Sequence, residues 1–268
     1  MSLLRSLLTV LLLFAGLLVS VPAGAATAST TLLSVGFRGS FDGTTYRPAP
    51  GEVIAGGLAR NTGTETLDGG IVGLPGGSAG LTFTPSADLT SDGAVTQSVA
   101  VEAVVESAQD GNHGLNTELS IAGGAYYRVQ DGYQSSSSLS EFGMSGAVAP
   151  FPEVRGRARS VSDTRFDHIT LIYRYAGAQG STLSTYVDGC QVGQALVSGL
   201  PAQAAAKTIG FGNDVHPSAT ARGFIGKFKS IAVTTFTGDS VPQQLSNPAS
   251  AETSRPGDST VSIGACDT

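Results

Sequence analysis

The chain has 268 residues, of which 41 % are hydrophobic and only 13 % charged, with 36 glycines, no tryptophan and a net charge of −6. A modestly acidic chain without a long basic run is a poor partner for nucleic acid or for an anionic membrane, and neither is expected here. The apolar fraction can build a sizeable core, while turns and surface must be made largely of Gly, Ser, Thr and Ala.

In chain order, residues 1–25 have the layout of a secretory signal peptide. Arg5 lies in a short n-region, an apolar run follows from Leu7 to Val19, and Ala23-Gly24-Ala25 makes a small-residue cleavage site. The run is short for a bilayer span; an uncleaved anchor is the alternative reading. No second apolar run follows. The expected mature chain therefore begins near Ala26, is secreted to the extracellular space and does not insert into a membrane.

Beyond the leader, helical periodicity is nearly absent. The alanine cluster Ala202 to Ala206 follows Pro201 and is too short to stand as a helix. Period-two patterns predict strands at Thr31–Phe37, Gly70–Leu74, Leu81–Thr84, Val99–Glu106, Leu115–Ile121 and Ala125–Gln130. Further strands are predicted at Phe166–Tyr175, Thr182–Val187, Lys207–Phe211 and Gly223–Phe236. In the fourth of these, Val99, Val101, Ala103 and Val105 point one way, and Glu102, Val104 and Glu106 the other. The segment LSTYVDGCQVG, from Leu183 to Gly193, alternates, turns at Asp188-Gly189 and alternates again, a strong hairpin signal. Strands separated by glycine-bearing turns (PGG, SDG, QDGNHG, VDG), without a fixed repeat, predict a sandwich or barrel spanning residues 26–240. Residues 241–268 follow as a polar, proline-bearing tail.

The two cysteines of an exported chain suggest one disulfide, Cys190 with Cys266. It would close a loop of about 76 residues, worth roughly 4 kcal/mol in the chain-entropy model, and pin the tail to the hairpin. Free thiols or intermolecular pairing are the alternatives.

FDHITLIYRYAGAQGSTLSTYVDGCQVG, from Phe166 to Gly193, resembles the strand and following "YVDG" hairpin of laminin-G-like, concanavalin A-like lectin and glucanase domains. KTIGFGNDVHPSATARGFIGKFKSIAVTTFTGD, from Lys207 to Asp239, is similar to their closing section, and GGSAGLTFTPSADL and SVAVEAVVE to their earlier strands. Phe166 stands where that family usually has Trp, and KFKSIAV replaces its acidic motif. The resemblance implies an all-β, two-sheet antiparallel jelly-roll sandwich. Such folds serve both binders and enzymes.

Candidate chemistry is sparse. Related glucanases carry paired acids on one strand, and Glu102 and Glu106 are the nearest match, with Val104 in the place of the family's aspartate. Positions four apart on a strand are roughly 13 Å apart at Cα, whereas retaining and inverting hydrolases hold their carboxyls about 5 to 9.5 Å apart. The pair therefore reads as solvated strand charge. His113, His168 and His216 form no zinc spacing. The resemblance allows a rim calcium, with Asn213 and Asp214 as first ligands and Asp42 and Asp110-Gly111-Asn112 behind them; no motif requires any other cofactor.

For ligand binding, Tyr126, Tyr127, Arg128, Asp131 and Tyr133 form the best aromatic and polar cluster, with Tyr126 and Arg128 on one face and Tyr127 on the other. Arg155, Arg157 and Arg159 alternate, which suits either an anionic glycan or a charged strand edge. The expected function is non-catalytic recognition of an extracellular carbohydrate or protein surface. A glycoside hydrolase or polysaccharide lyase of the same fold, and a structural cell-surface protein, are the alternatives.

Overall fold

The computed structural model describes residues 28–86, 90–91, 94–95, 97–107, 116–123, 125–131, 142–146, 154–156, 166–176, 181–197, 208–213 and 223–237. No helix occurs among them. Their strands are, in chain order, β1 (Ser29–Val35), β2 (Ser40–Asp42), β3 (Thr45–Arg47), β4 (Val53–Ile54), β5 (Gly56–Arg60), β6 (Thr66–Asp68) and β7 (Ile71–Pro75). Next come β8 (Leu81–Pro85), β9 (Thr90–Ser91), β10 (Ala94–Val95), β11 (Ser98–Ser107), β12 (Asn116–Gly123) and β13 (Ala125–Asp131). The remainder are β14 (Phe142–Gly146), β15 (Val154–Gly156), β16 (Asp167–Arg174), β17 (Ser181–Val187), β18 (Cys190–Val197), β19 (Ile209–Phe211) and β20 (Ile225–Phe236).

They form two antiparallel sheets in a jelly-roll sandwich. The first runs β18-β17-β16-β11-β20-β1-β4, with β7 also on β20 and β6 on β7. The second runs β15-β14-β13-β12-β19-β8-β5-β3-β2. β9 and β10 make a separate small hairpin.

The core lies between the sheets and follows from period two. Along β11, Val99, Val101, Ala103 and Val105 are buried while Glu102, Val104 and Glu106 are half-buried on the opposite face. Ile169, Leu171 and Tyr173 of β16 meet Leu119, Phe83 and Phe211 from the second sheet in one cluster. Each such side chain contributes about 1.5–3 kcal/mol on burial. The long strand β20 carries a bulge. Val104 pairs with Ser230 and Val105 with Phe228, so Lys229 is the extra residue. That one insertion lets both Phe228 and Ile231 reach the core although they are three positions apart. Phe224 and Phe211 close on Phe228 edge-to-face, at 5.4 and 6.5 Å between ring centroids.

The outer face of the first sheet is also apolar in part. Ala100, Ile172 and Phe236 form a second buried cluster with Tyr186 against it. The hairpin of β17 and β18 turns at Asp188 and Gly189, both at positive φ (49° and 79°), as an Asp-Gly two-residue turn requires. Asp188 also ties the turn to β16. Its carboxylate accepts from the His168 backbone N–H at 2.9 Å, and its own N–H donates to the His168 carbonyl at 2.8 Å.

Candidate binding site

An open depression of about 720 Å³ lies where the edge strand β2 of one sheet faces β6, the side strand of the other. The loop between β1 and β2 supplies Phe37, Arg38 and Gly39, and β2 supplies Ser40 and Phe41. Arg60 comes from the end of β5, Leu67 and Asp68 from β6, and Gly69 and Gly70 from the following turn.

Two carboxylates brace the segments around it. Glu52 Oε1 accepts the backbone N–H groups of Gly36 and Arg38, both at 3.0 Å, and Oε2 accepts the Ala49 N–H at 2.8 Å and the Tyr46 hydroxyl at 2.9 Å. The Tyr46 oxygen in turn accepts the Gly39 N–H at 2.7 Å. The loop carrying Arg38 is thereby held along its length. Burial raises the pKa of Glu52, but the N–H donors of Arg38 and Ala49, the Tyr46 hydroxyl and the Gly36 N–H outweigh it and hold the carboxyl below its ordinary 4.5. Burial first, and then the neighbouring carboxylate, push the Tyr46 phenol up to about 12 despite the Gly39 N–H.

Glu65, only 2 % exposed, does the same for the turn at residues 61–63, which adjoins Arg60. Its Oε1 accepts from the N–H groups of Asn61, Thr62 and Gly80, and its Oε2 from that of Gly63, at 2.8 to 3.1 Å. Burial again raises the pKa and these amides, Gly80 foremost, bring it below 4.5. Arg60 is locked beside it. Its Nε donates to the Gly43 carbonyl at 2.8 Å, its Nη1 to the Glu65 carbonyl at 3.1 Å, and its guanidinium lies 5.1 Å over the Phe41 ring.

Phe37 adopts φ 54°, unusual for an aromatic residue. It is buried at 1 % exposure, edge-to-face with Tyr46 at 5.9 Å. Such backbone strain is found where a site is held in shape by its surroundings. Gly39 permits the tight turn after it, since a Cβ there would overlap the Arg47 carbonyl. The result is a rigid, shallow site with an aromatic ring, two guanidinium groups, a hydroxyl and a carboxylate. Asp68 is the one carboxylate among the lining residues, whereas hydrolysis by paired acids takes two.

The residues singled out from the sequence lie elsewhere. Glu102 and Glu106 project from β11 on the outer face of the first sheet, and each has its own side-chain partner. Glu102 Oε2 is 3.0 Å from His168 Nε2, and Glu106 Oε1 is 2.5 Å from Lys227 Nζ. The buried Nδ1 of His168 has no partner among the described residues.

Register pairs Tyr126 with Ala122, Tyr127 with Ile121, Arg128 with Ser120 and Val129 with Leu119. Arg155 stands on β15, the outermost strand of that sheet among the described residues, level with Gln130 through Gly143. Asp131 ends β13; Tyr133, Arg157 and Arg159 lie outside the described residues. β13 is six strands from β2 in the sheet order, roughly 30 Å along the sheet, so this cluster and the depression are separate surfaces.

Asn213 bridges the β7–β8 loop and strand β12. Its Nδ2 donates to the Ser78 carbonyl at 3.0 Å, and its own carbonyl accepts from Ser120 Oγ at 2.9 Å. Asp214, Asp110, Gly111 and Asn112 lie outside the described residues, whereas Asp42 is described and pairs with Arg47 at 3.1 Å. Cys190 opens β18 directly after the hairpin turn, and Cys266 lies outside the described residues.

The depression is not legible in the sequence because its residues come from three separate stretches, 37–41, 60 and 67–70. The available signal was GFRGSFDG, Gly36 to Gly43, where an arginine, two phenylalanines and an aspartate are packed among glycines.

No family model and no curated protein matches the sequence. Solved structures are similar in fold. The receptor-binding domain of botulinum neurotoxin D superposes with a TM-score of 0.53 at 11 % identity, covering 81 % of this chain and 51 % of that one. A structure of botulinum neurotoxin type C, whose cell entry depends on interaction with two ganglioside molecules, gives 0.51 at 12 % identity, with 81 % and 50 % covered. Domain 4 of a GH43 extracellular arabinanase from Geobacillus stearothermophilus, in complex with arabinotriose, gives 0.43 at 13 % identity, with 82 % and 86 % covered. The chain spans about half the length of the two toxin structures. At these identities the likeness is one of fold, a β-sandwich also used by binding modules.

Proposed function

We propose that this chain is a secreted, non-catalytic binding module of the laminin-G-like kind that recognises an extracellular carbohydrate through the depression at the sheet seam. The observation that carries this reading is the prior organisation of the site. Glu52 locks the loop that carries Arg38, and Glu65 holds the turn behind Arg60, before any ligand arrives, which lowers the ordering cost of binding. A half-buried Phe41 beside exposed Arg38, Ser40 and Asp68 offers an apolar face with convergent polar groups, the usual make-up of a small-ligand site. The dependence of botulinum neurotoxin type C cell entry on two ganglioside molecules is in keeping with a glycan ligand for this fold.

The hydrolase or lyase alternative needs Glu102 and Glu106 to work as a pair. Their separate engagement with His168 and Lys227 speaks for strand-face pairing instead. Secretion, the Cys190–Cys266 bridge and a rim calcium at Asn213 and Asp214 complete the proposal. The Nδ2 bond to Ser78 leaves the Asn213 Oδ1 as the donor for such a cation.

The test is a glycan array probed with residues 26–268, wild type and Phe41→Ala, in calcium and in EDTA. The expected result is a glycan signal that Phe41→Ala removes while the urea midpoint stays within the range of a surface change. A blank array in both buffers, or a signal indifferent to Phe41, overturns the assignment. Loss in EDTA alone locates the calcium contribution.

A further inference from the structure

Resting on the carbohydrate reading, we infer that the seam depression takes a carboxylate-bearing sugar, with Arg38 as the side chain that reads the carboxylate. The lining carries two guanidinium groups against one carboxylate, and the two arginines are in different situations. Arg60 is part of the frame. Its Nε and Nη1 are spent on the Gly43 and Glu65 carbonyls, and its plane is stacked on Phe41. It contributes a fixed positive field.

Arg38 is exposed, and among the described residues its guanidinium makes a single hydrogen bond, Nη2 to the Pro50 carbonyl at 3.4 Å, long for one. The rest of its fork is unspent. Its backbone, by contrast, is fixed, because the Arg38 N–H is one of the four donors on Glu52. A guanidinium with open donors on an immobile backbone is the geometry that meets a carboxylate with two parallel hydrogen bonds.

Asp68 narrows the class of anion. Its carboxylate is exposed in the same depression and has no hydrogen-bond or ion-pair partner among the described residues. A carboxylate beside a binding site accepts from sugar hydroxyls and repels additional negative charge. A monoanionic sugar acid presents one carboxylate to Arg38 and hydroxyls to Asp68 and Ser40. A phosphorylated or multiply sulfated glycan brings more charge and meets Asp68 unfavourably. A neutral sugar leaves Arg38 without its matching group. The exposed part of the Phe41 ring, flanked by Arg60 and by the Tyr46 edge at 5.3 Å, is left for the apolar face of the pyranose.

The experiment is titration calorimetry of the mature chain with hexuronic and sialylated trisaccharides, their carboxyl-reduced counterparts, and O-sulfated neutral trisaccharides. The variants are Arg38→Ala, Arg38→Lys and Asp68→Asn. Expected is binding of an acidic trisaccharide at least tenfold tighter than of its reduced form. Arg38→Ala removes that difference, Arg38→Lys restores part of it, and Asp68→Asn improves the sulfated probe relative to wild type. Equal binding of acidic and reduced forms overturns this inference and leaves the carbohydrate reading standing. Sulfated probes bound as tightly as carboxylated ones also overturn it, by showing a response to charge alone. If no probe of any class binds, the carbohydrate reading and this inference fall together.

Discussion

Four glutamates divide this molecule into two regions that handle the same side chain differently. On the outer face of the first sheet, Glu102 and Glu106 stand on one regular strand and are answered by side chains, His168 on β16 and Lys227 on β20. At the seam, Glu52 and Glu65 sit in irregular loops and are answered mostly by backbone amides, three for Glu52 and four for Glu65. The strand supplies its own backbone hydrogen bonds, so its carboxylates are free to pair across it. A glycine-rich loop has amides without ladder partners, and a buried carboxylate can satisfy several at once. In the first region the glutamates decorate a fold. In the second they determine the shape of a site.

The largest effect that tests this contrast is Glu65→Ala. It leaves four amides around a buried position without their acceptor and is expected to cost about 3 kcal/mol, read as a fall in the urea midpoint at unchanged m-value. Glu106→Ala, by comparison, removes a pair whose lysine is 51 % exposed and is expected to cost less than about 0.5 kcal/mol. Equal losses in the two variants would erase the distinction.

Acid sharpens it further. Glu52 and Glu65 have folded pKa values below the ordinary 4.5, so their contribution is full above that pH and is lost as pH falls through the folded values. Thermal melts between pH 6 and pH 2 should show an acid loss that Glu52→Gln and Glu65→Gln together flatten. Tyr46 gives the opposite limb. Its phenol is raised from 10.0 to about 12, so stability tied to its neutral form is present below pH 10 and lost as pH rises toward 12. A comparably small effect is expected from Glu102→Gln, which keeps an acceptor for His168. A loss of about 1 kcal/mol or less, with glycan binding intact, is the outcome to look for on the same array.

Much of the sandwich was legible in advance because its central strands are long. β11, β16, β17 and β20 run for seven to twelve residues, enough for period two to rise above chance. The Asp188-Gly189 turn was legible for a local reason, since both residues tolerate positive φ. The strands β2 to β6 were not foreseen. They are two to five residues long, and alternation over three positions says nothing. β2 and β3 are reached through β5, which pairs with β8, while β4 pairs with β1 and β6 with β7. For the candidate site the result was poorer. Tyr126 and Arg128 are neighbours in sequence, as are Arg155 and Arg157, whereas the depression assembles Arg38, Arg60 and Asp68 from three separate stretches.

By itself, then, the sequence determined the all-β class, the faces of the long strands and the hairpin at Asp188, because side-chain alternation and turn chemistry are local properties. The tertiary structure decided that Arg38 and Asp68 share one depression, that Glu52 and Glu65 brace it, and that Glu102 and Glu106 are paired apart. Those outcomes depend on which strand edges meet and on which loop amides lack a partner, and both are settled only when the two sheets close on each other.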